Sequence, residues 1–132
     1  MNTTAGEVRQ ASCHCGAVVI EAYLPGGLAT AKRCNCSFCR RRGAAAVTAL
    51  TSSVKILTGQ DNIGLYVWGS QTAKHYFCKT CGNYTHHQRR SDPRETGINL
   101  GCFEGVLPED FEPIATTDGV NHSKDRDPTS FR

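Results

Sequence analysis

Along the chain, apolar residues come in short runs spaced about 8 to 15 residues apart, with Gly, Pro, Asn, Asp or Ser between them. No stretch sustains the 3.6-residue apolar stripe of a long helix, so the pattern predicts a mainly β domain of short antiparallel strands. Residues 8–12 and 17–22 read as two strands joined by the tight Cys13-His14-Cys15-Gly16 turn, and Pro25, Gly26 and Gly27 form the next loop. Residues 29–33 lead as a strand into a middle group of cysteines, and 45–50 leave it as another. Ala44, Ala45 and Ala46 are equally compatible with a helical turn. Further strands are expected at 54–57, 65–68, 74–78, 84–88 and 96–102. Tyr66, Trp68, Tyr76 and Phe77 alternate as strand core does, which marks them as packing.

A chain of 132 residues suits a single domain over 1–132, with its core at about 7–117 and a polar C-terminal arm at 118–132. Leu, Ile, Val and Phe together supply 25 of the 132 residues, the low edge for a self-sufficient core. A net charge of +3 is far too small to hold the chain unfolded by self-repulsion, so a bound metal is the expected supplement. Residues 1–10 are polar, without the apolar segment of a secretory signal, and no window approaches the ~18 apolar residues of a membrane span. The expectation is a cytoplasmic protein that engages no membrane, a setting in which clustered thiols serve as metal ligands more often than as disulfides. Lys and Arg number 15 against 12 Asp and Glu, and no aromatic residues interleave with them, which argues against nucleic acid as a partner. The basic residues are nonetheless concentrated: Lys32, Arg33, Arg40, Arg41 and Arg42 flank the middle cysteines.

The eight cysteines fall as Cys13 and Cys15, then Cys34, Cys36 and Cys39, then Cys78 and Cys81, with Cys102 alone. Cys78-Lys79-Thr80-Cys81-Gly82 forms a turn that aims two sulfurs to one side. The glycine after the second sulfur can take φ > 0 and leave its N–H free to face a sulfur. Cys13-His14-Cys15-Gly16 is its tighter counterpart. Cys13, Cys15, Cys78 and Cys81 thus supply four thiolates, enough to close a tetrahedral structural zinc site with no place for substrate. Such a site contributes ~10 to 16 kcal/mol to folding, comparable with the whole stability of a domain. A disulfide framework is disfavoured because Cys-x-Cys bridges are strained. A redox pair would need its Cys-x-x-Cys to enter a helix, whereas Gly82-Asn83-Tyr84 turns into a strand.

Cys34-Asn35-Cys36-Ser37-Phe38-Cys39 offers three thiolates, one short of a closed tetrahedron, and an open position is how zinc does chemistry. Water, a substrate thiol or a protein group would fill it, and Cys102, His75, His86, His87 and His122 are the protein candidates. Spacing also allows Cys13 and Cys15 to share an ion with the middle group. Arg40, Arg41 and Arg42 follow at once; guanidinium groups clamp carboxylates in bidentate fashion, although such runs also form ordinary solvated turns. A small thiol bearing carboxylates would suit both features. His75, His86 and His122 are candidates for a general base.

The order Cys-x-Cys-Gly, Cys-x-Cys-x-x-Cys-Arg, then aromatic-Cys-x-x-Cys-Gly resembles the glutathione-dependent formaldehyde-activating enzyme family, also called the centromere protein V/Gfa domain. Supporting pieces are Trp68-Gly69-Ser70, His75-Tyr76-Phe77-Cys78, Asn99-Leu100-Gly101-Cys102 and Asp118-Gly119-Val120-Asn121-His122. The resemblance implies an Mss4-like fold of twisted β-sheets stapled by two zinc ions. One would be structural, on Cys13, Cys15, Cys78 and Cys81; the other, more labile, would sit on Cys34, Cys36 and Cys39. It implies a carbon–sulfur lyase-like reaction that joins a thiol such as glutathione to formaldehyde or another small aldehyde, Arg40, Arg41 and Arg42 orienting the thiol's carboxylates. The alternative is a non-catalytic zinc module for protein interaction or thiol and metal handling. Position 35 is Asn where many members carry His, a departure that bears on contacts around the metal and substrate more than on the ligands.

Overall fold

The computed structural model describes residues 6–69 and 71–120. In chain order the elements are β1 (Glu7–Ser12), β2 (Val19–Leu24), β3 (Arg33–Cys34), a single helical turn α1 (Cys39–Arg42), β4 (Ala46–Leu50), β5 (Lys55–Thr58), β6 (Ile63–Tyr66), β7 (Lys74–Cys78), β8 (Tyr84–Gln88), β9 (Glu95–Asn99) and β10 (Thr116–Thr117). The chain is mainly β, as its apolar rhythm predicts. A three-stranded sheet runs β1-β2-β5, and a five-stranded sheet runs β4-β9-β8-β7-β6, with antiparallel pairing throughout both. A short parallel pair, β3 with β10, stands apart.

Alternation puts one face of each sheet inward. Ile20, Ala22 and Leu24 of β2 meet Val47 and Ala49 of β4 and Ile98 of β9, and Val18, Leu100 and Phe103 fill the space between. Cys13 and Cys78 belong to this same buried cluster. The apolar core is therefore continuous with the turns that carry the first cysteine set.

Strands at 74–78 and 84–88 lie where the sequence places them; the strand expected at 17–22 is β2, two residues later at each end, and four other segments differ, each for a local reason. Within 29–33, the first residues belong to a 3-10 turn, Gly27–Thr30, because the Thr30 hydroxyl donates back to Gly27 O and accepts from Thr48 N. The strand expected at 65–68 is β6, shifted toward the N-terminus, since Gln71 N bonds Trp68 O and closes a turn there. Segment 96–102 stops at Asn99, whose side chain caps a 3-10 turn by accepting from Gly101 N. The helical turn falls on Cys39–Arg42 instead of the alanines; Gly43, at φ +70°, ends it in the left-handed region.

The aromatic residues also behave differently from strand core. Tyr66 and Trp68 gather around Phe38, with ring centroids 5.2 and 6.4 Å away, and Tyr76 stacks on His86 at 4.6 Å. His86 is 5% exposed, bonds the Thr85 hydroxyl at 2.9 Å, and is held neutral by burial, which pushes its pKa down to about 4. The unfolded chain takes up a proton at this position near pH 6.5 and the folded chain does not. The contribution from His86 is therefore fully present above about pH 6.5 and falls as the pH drops toward 4, at up to about 1.4 kcal/mol per pH unit. Comparing urea unfolding of the protein with that of His86→Gln at pH 7 and pH 5 tests this: the difference between them should shrink at pH 5, and a constant difference would refute it.

Candidate metal centres

The first centre is assembled by two hairpin turns. The β1–β2 turn carries Cys13 and Cys15, the β7–β8 turn carries Cys78 and Cys81, and all four Sγ atoms lie within 4.8 Å of one another. Cys13 Sγ is 3.7 Å from Cys15 Sγ, which is 3.6 Å from Cys78 Sγ. A disulfide needs about 2.0 Å, whereas a tetrahedron with metal–sulfur arms of about 2.3 Å has edges of about 3.8 Å. Donors converge on the sulfurs: Val18 N on Cys13 at 3.3 Å, and Thr80 N, Cys81 N and Asn62 Nδ2 on Cys78 at 3.4, 3.5 and 3.4 Å. Gly16 and Gly82 do adopt positive φ, +82° and +76°. Their N–H groups, however, close the turns onto Cys13 O and Cys78 O and do not face sulfur.

The electrostatics fit a divalent cation. Backbone N–H groups of Cys15 and Asn83 lower Cys81 to about 6, and those of Cys81 and Thr80 lower Cys78. Cys15, despite the Ala17 N–H, is raised to about 11 by burial and the neighbouring thiols. Four sulfurs so close cannot all ionise without a counter-charge, which a bound zinc ion would supply. Cys102 lies beside this centre and outside the group. Its buried thiol donates to Tyr84 O at 3.4 Å, and burial together with Cys13 and Cys81 raises its pKa to about 12.

Cys34 at the end of β3, Cys36 in the following turn and Cys39 at the start of α1 form the second group, their Sγ atoms again within 4.8 Å of one another. Cys36 N reaches Cys34 Sγ at 3.5 Å, Cys39 N reaches Cys36 Sγ at 3.3 Å, and Arg42 Nη2 reaches Cys39 Sγ at 3.5 Å. Thiol hydrogen bonds from Cys34 and Cys39 hold Cys36 far below its usual range, while Cys39 is pushed far up. Three thiols this close cannot all ionise unless a cation shares the charge. Among the described residues, no fourth His, Cys, Asp or Glu joins this group.

The three sulfurs stand in the wall of a cavity of about 270 Å³ that Lys32, Arg33, Arg42, Arg89 and Arg90 also line, with Asp118 the acidic exception. Of the arginines that follow Cys39, Arg42 alone lines the cavity; Arg40 and Arg41 are exposed, and Arg41 bonds Ser37 O. The Arg42 guanidinium lies 3.6 Å from the Tyr84 ring centroid and 4.8 Å from that of Phe38, and Nη1 approaches His75 Nδ1 at 3.3 Å. The Nε atoms of Arg42 and Arg89 are buried without a hydrogen-bond partner.

His75 and His87 face each other across β7 and β8, 5.3 Å apart, and both line the cavity. Burial, reinforced by Arg42, lowers His75 to about 4 and His87 well below its usual value, so both are neutral at pH 7. The Tyr84 hydroxyl bonds His87 Nδ1 at 2.6 Å, and burial pushes that phenol up. His86 lies on the stacked pair with Tyr76, and His122 lies outside the described residues. Arg89 and Arg90 carry no motif, and the sequence offers His87 only as a candidate fourth ligand for the second group. The visible signal is that His87 and Arg89 alternate on one face of β8 and its continuation.

A family model described as glutathione-dependent formaldehyde-activating enzyme matches residues 8–117, a span that includes all eight cysteines. The crystal structure of a Rhodobacter sphaeroides protein is similar at 55% sequence identity and a TM-score of 0.79, over 82% of this chain and 99% of that one.

Proposed function

Because the chain belongs to the glutathione-dependent formaldehyde-activating enzyme family, we propose that it is a carbon–sulfur lyase-like enzyme, similar to an S-(hydroxymethyl)glutathione synthase, that adds a thiol such as glutathione to formaldehyde or another small aldehyde. The observation that carries this reading is the three-sulfur face of Cys34, Cys36 and Cys39 in the wall of a basic cavity. Zinc on those sulfurs would act as a Lewis acid that keeps an added sulfur in its thiolate form at neutral pH. A second ion on Cys13, Cys15, Cys78 and Cys81 would be structural, giving two per chain.

The chemistry needs no oxidant or reductant. A carbon–sulfur bond forms at the carbonyl carbon, the C=O π pair moves to oxygen, and the sulfur's proton ends on that oxygen. His75 and His87, both neutral and both on the cavity wall, can pass that proton. Arg42, in the cavity wall, would fix a carboxylate of the thiol, and Arg40 and Arg41 would add a more distant positive field. The reading as a non-catalytic zinc module requires a protein group to close the second centre, and Cys102, one candidate for that role, sits at the first.

Among the described residues no helix is long and apolar enough to cross a membrane. A single cytoplasmic domain with an Mss4-like fold fits the family and the abundance of free thiols.

Hemithioacetals form unaided in water, so the test must measure rate. Exchange spectroscopy on labelled formaldehyde should show faster interconversion of aldehyde and glutathione adduct with protein than without it, and less acceleration for a thiol lacking carboxylates. Arg42→Met should raise KM for glutathione about tenfold, the size of one lost charge-assisted hydrogen bond, with little change for the uncharged thiol. Interconversion no faster than in buffer would overturn the enzymatic reading.

A further inference from the structure

Asn35 stands between the first two sulfurs of the second centre, and its side chain holds neither of them. Its Oδ1 accepts from Gly119 N at 2.8 Å and from Val120 N at 3.2 Å, while its own N–H donates to Thr117 O at 3.2 Å. One residue thus binds the far end of the described chain at three points. The strap is also tied by the parallel pairing of β10 with β3, by Arg33 N to Ala115 O at 2.9 Å, and by Arg90 Nη2 to Gly119 O at 3.2 Å.

The strap lies directly on the sulfurs. Residues 115–118 and Val120 are exposed, yet Gly119 between them is buried. A Cβ on Gly119 would fall 2.4 Å from Cys34 Sγ and 2.9 Å from Cys36 Cβ, closer than real side chains come. Only a residue without a side chain lets the backbone approach a ligand sulfur so nearly.

We infer that Asn35 is a positioning residue of the second centre: its carboxamide pins Gly119 over Cys34 and Cys36, covering the sulfurs on that side and directing any incoming thiol through the cavity that Arg42 and His75 line. The inference rests on the reading of Cys34, Cys36 and Cys39 as a metal centre. Its physical logic is that β10 is a ladder of only two residues, too short to hold by itself. Loss of the Asn35 acceptor would therefore free the Gly119 amide, whereas Val120 N keeps Asp118 Oδ1 at 3.1 Å. A neutral acceptor also suits this place, because a carboxylate would add charge beside three thiolates.

The test uses the full chain loaded with zinc and needs no aldehyde. Wild type, Asn35→Ala, Asn35→Asp and Gly119→Ala are each challenged with a chromogenic chelator, while amide exchange at Gly119 and Val120 is followed in parallel. In Asn35→Ala the second-centre ion should leave about 10- to 100-fold faster, the range for a lost outer partner of a metal ligand, with loss of amide protection at Gly119 and less change at Val120, which keeps Asp118 Oδ1. The first-centre ion should leave at its usual rate. Asn35→Asp, which keeps an acceptor at the same atom, should restore amide protection. Gly119→Ala should speed zinc loss with Asn35 intact, because its methyl displaces Cys34 Sγ.

Two ions in wild type with unchanged release in Asn35→Ala would overturn the role of Asn35. A wild type that binds one ion only would overturn the second centre itself and the inference with it.

Discussion

Cys78→Ser is expected to abolish cooperative folding, leaving a chain with no resolved thermal transition and a zinc content below that of the parent. Cys78 ends β7, is fully buried within the apolar core, and receives three hydrogen bonds at its sulfur. Its Sγ lies 3.6 Å from that of Cys15, a residue 63 positions earlier. An ion at this centre therefore closes a long loop and fastens the three-stranded sheet to the five-stranded one, where loop-closure entropy makes a clasp most effective. Structural zinc is worth about 10 to 16 kcal/mol against a typical net stability of about 5 to 15 kcal/mol, so its loss exceeds what the remaining core can offset. A serine hydroxyl is a far poorer ligand than thiolate and leaves the three donors aimed at a smaller atom. Cys102→Ser, buried nearby but outside the ligand group, is the control and should keep two ions. Circular dichroism on heating together with metal analysis decides the matter. A Cys78→Ser melt like that of the parent would remove the clasp from its structural role.

The second large effect concerns Cys36→Ser, which should lose one ion, keep the fold, and bring thiol addition to aldehyde down to the rate in buffer. Cys34, Cys36 and Cys39 are contained in six consecutive residues, so an ion there closes almost no loop and holds no distant strands together. Its loss changes chemistry and leaves folding nearly untouched. Removal of a direct ligand should weaken zinc binding by more than the 10- to 100-fold typical of outer partners. The measurements are metal content, thermal midpoint and adduct exchange on one preparation. A folded Cys36→Ser that retains both the ion and the rate would refute the proposed centre. An unfolded one would show that the second ion is structural as well.

The contrast between the two variants also explains which parts of the site were legible in advance. Cysteine spacing reports turn chemistry, and turn chemistry is local: Cys13-His14-Cys15-Gly16 and Cys78-Lys79-Thr80-Cys81-Gly82 could be read as paired ligands before any strand was placed. The strands at 74–78 and 84–88 were equally readable, because alternation and flanking turn residues coincide there. Segments 29–33, 65–68 and 96–102 were misjudged at their ends. In each case one side-chain or turn hydrogen bond, at Thr30, Gln71 or Asn99, competes with the ladder, and an apolar pattern carries no trace of it. The arginine run shows the same limit, since its spacing gives no preference among its members. The stacking of Arg42 between Tyr84 and Phe38 sets that residue apart.

By itself the sequence determined a mainly β chain with a thin apolar core and two sets of clustered thiols, since hydrophobic period and ligand spacing are properties of neighbours along the chain. Only the tertiary structure decided that Cys13 and Cys15 meet Cys78 and Cys81, that Cys102 lies beside that centre and away from Cys34, Cys36 and Cys39, and that Arg89 and His87 share a cavity with Arg42. It alone placed Gly119 against Cys34, 85 residues earlier in the chain. Those meetings depend on strand order and register across the sheets, which spacing along the chain does not encode.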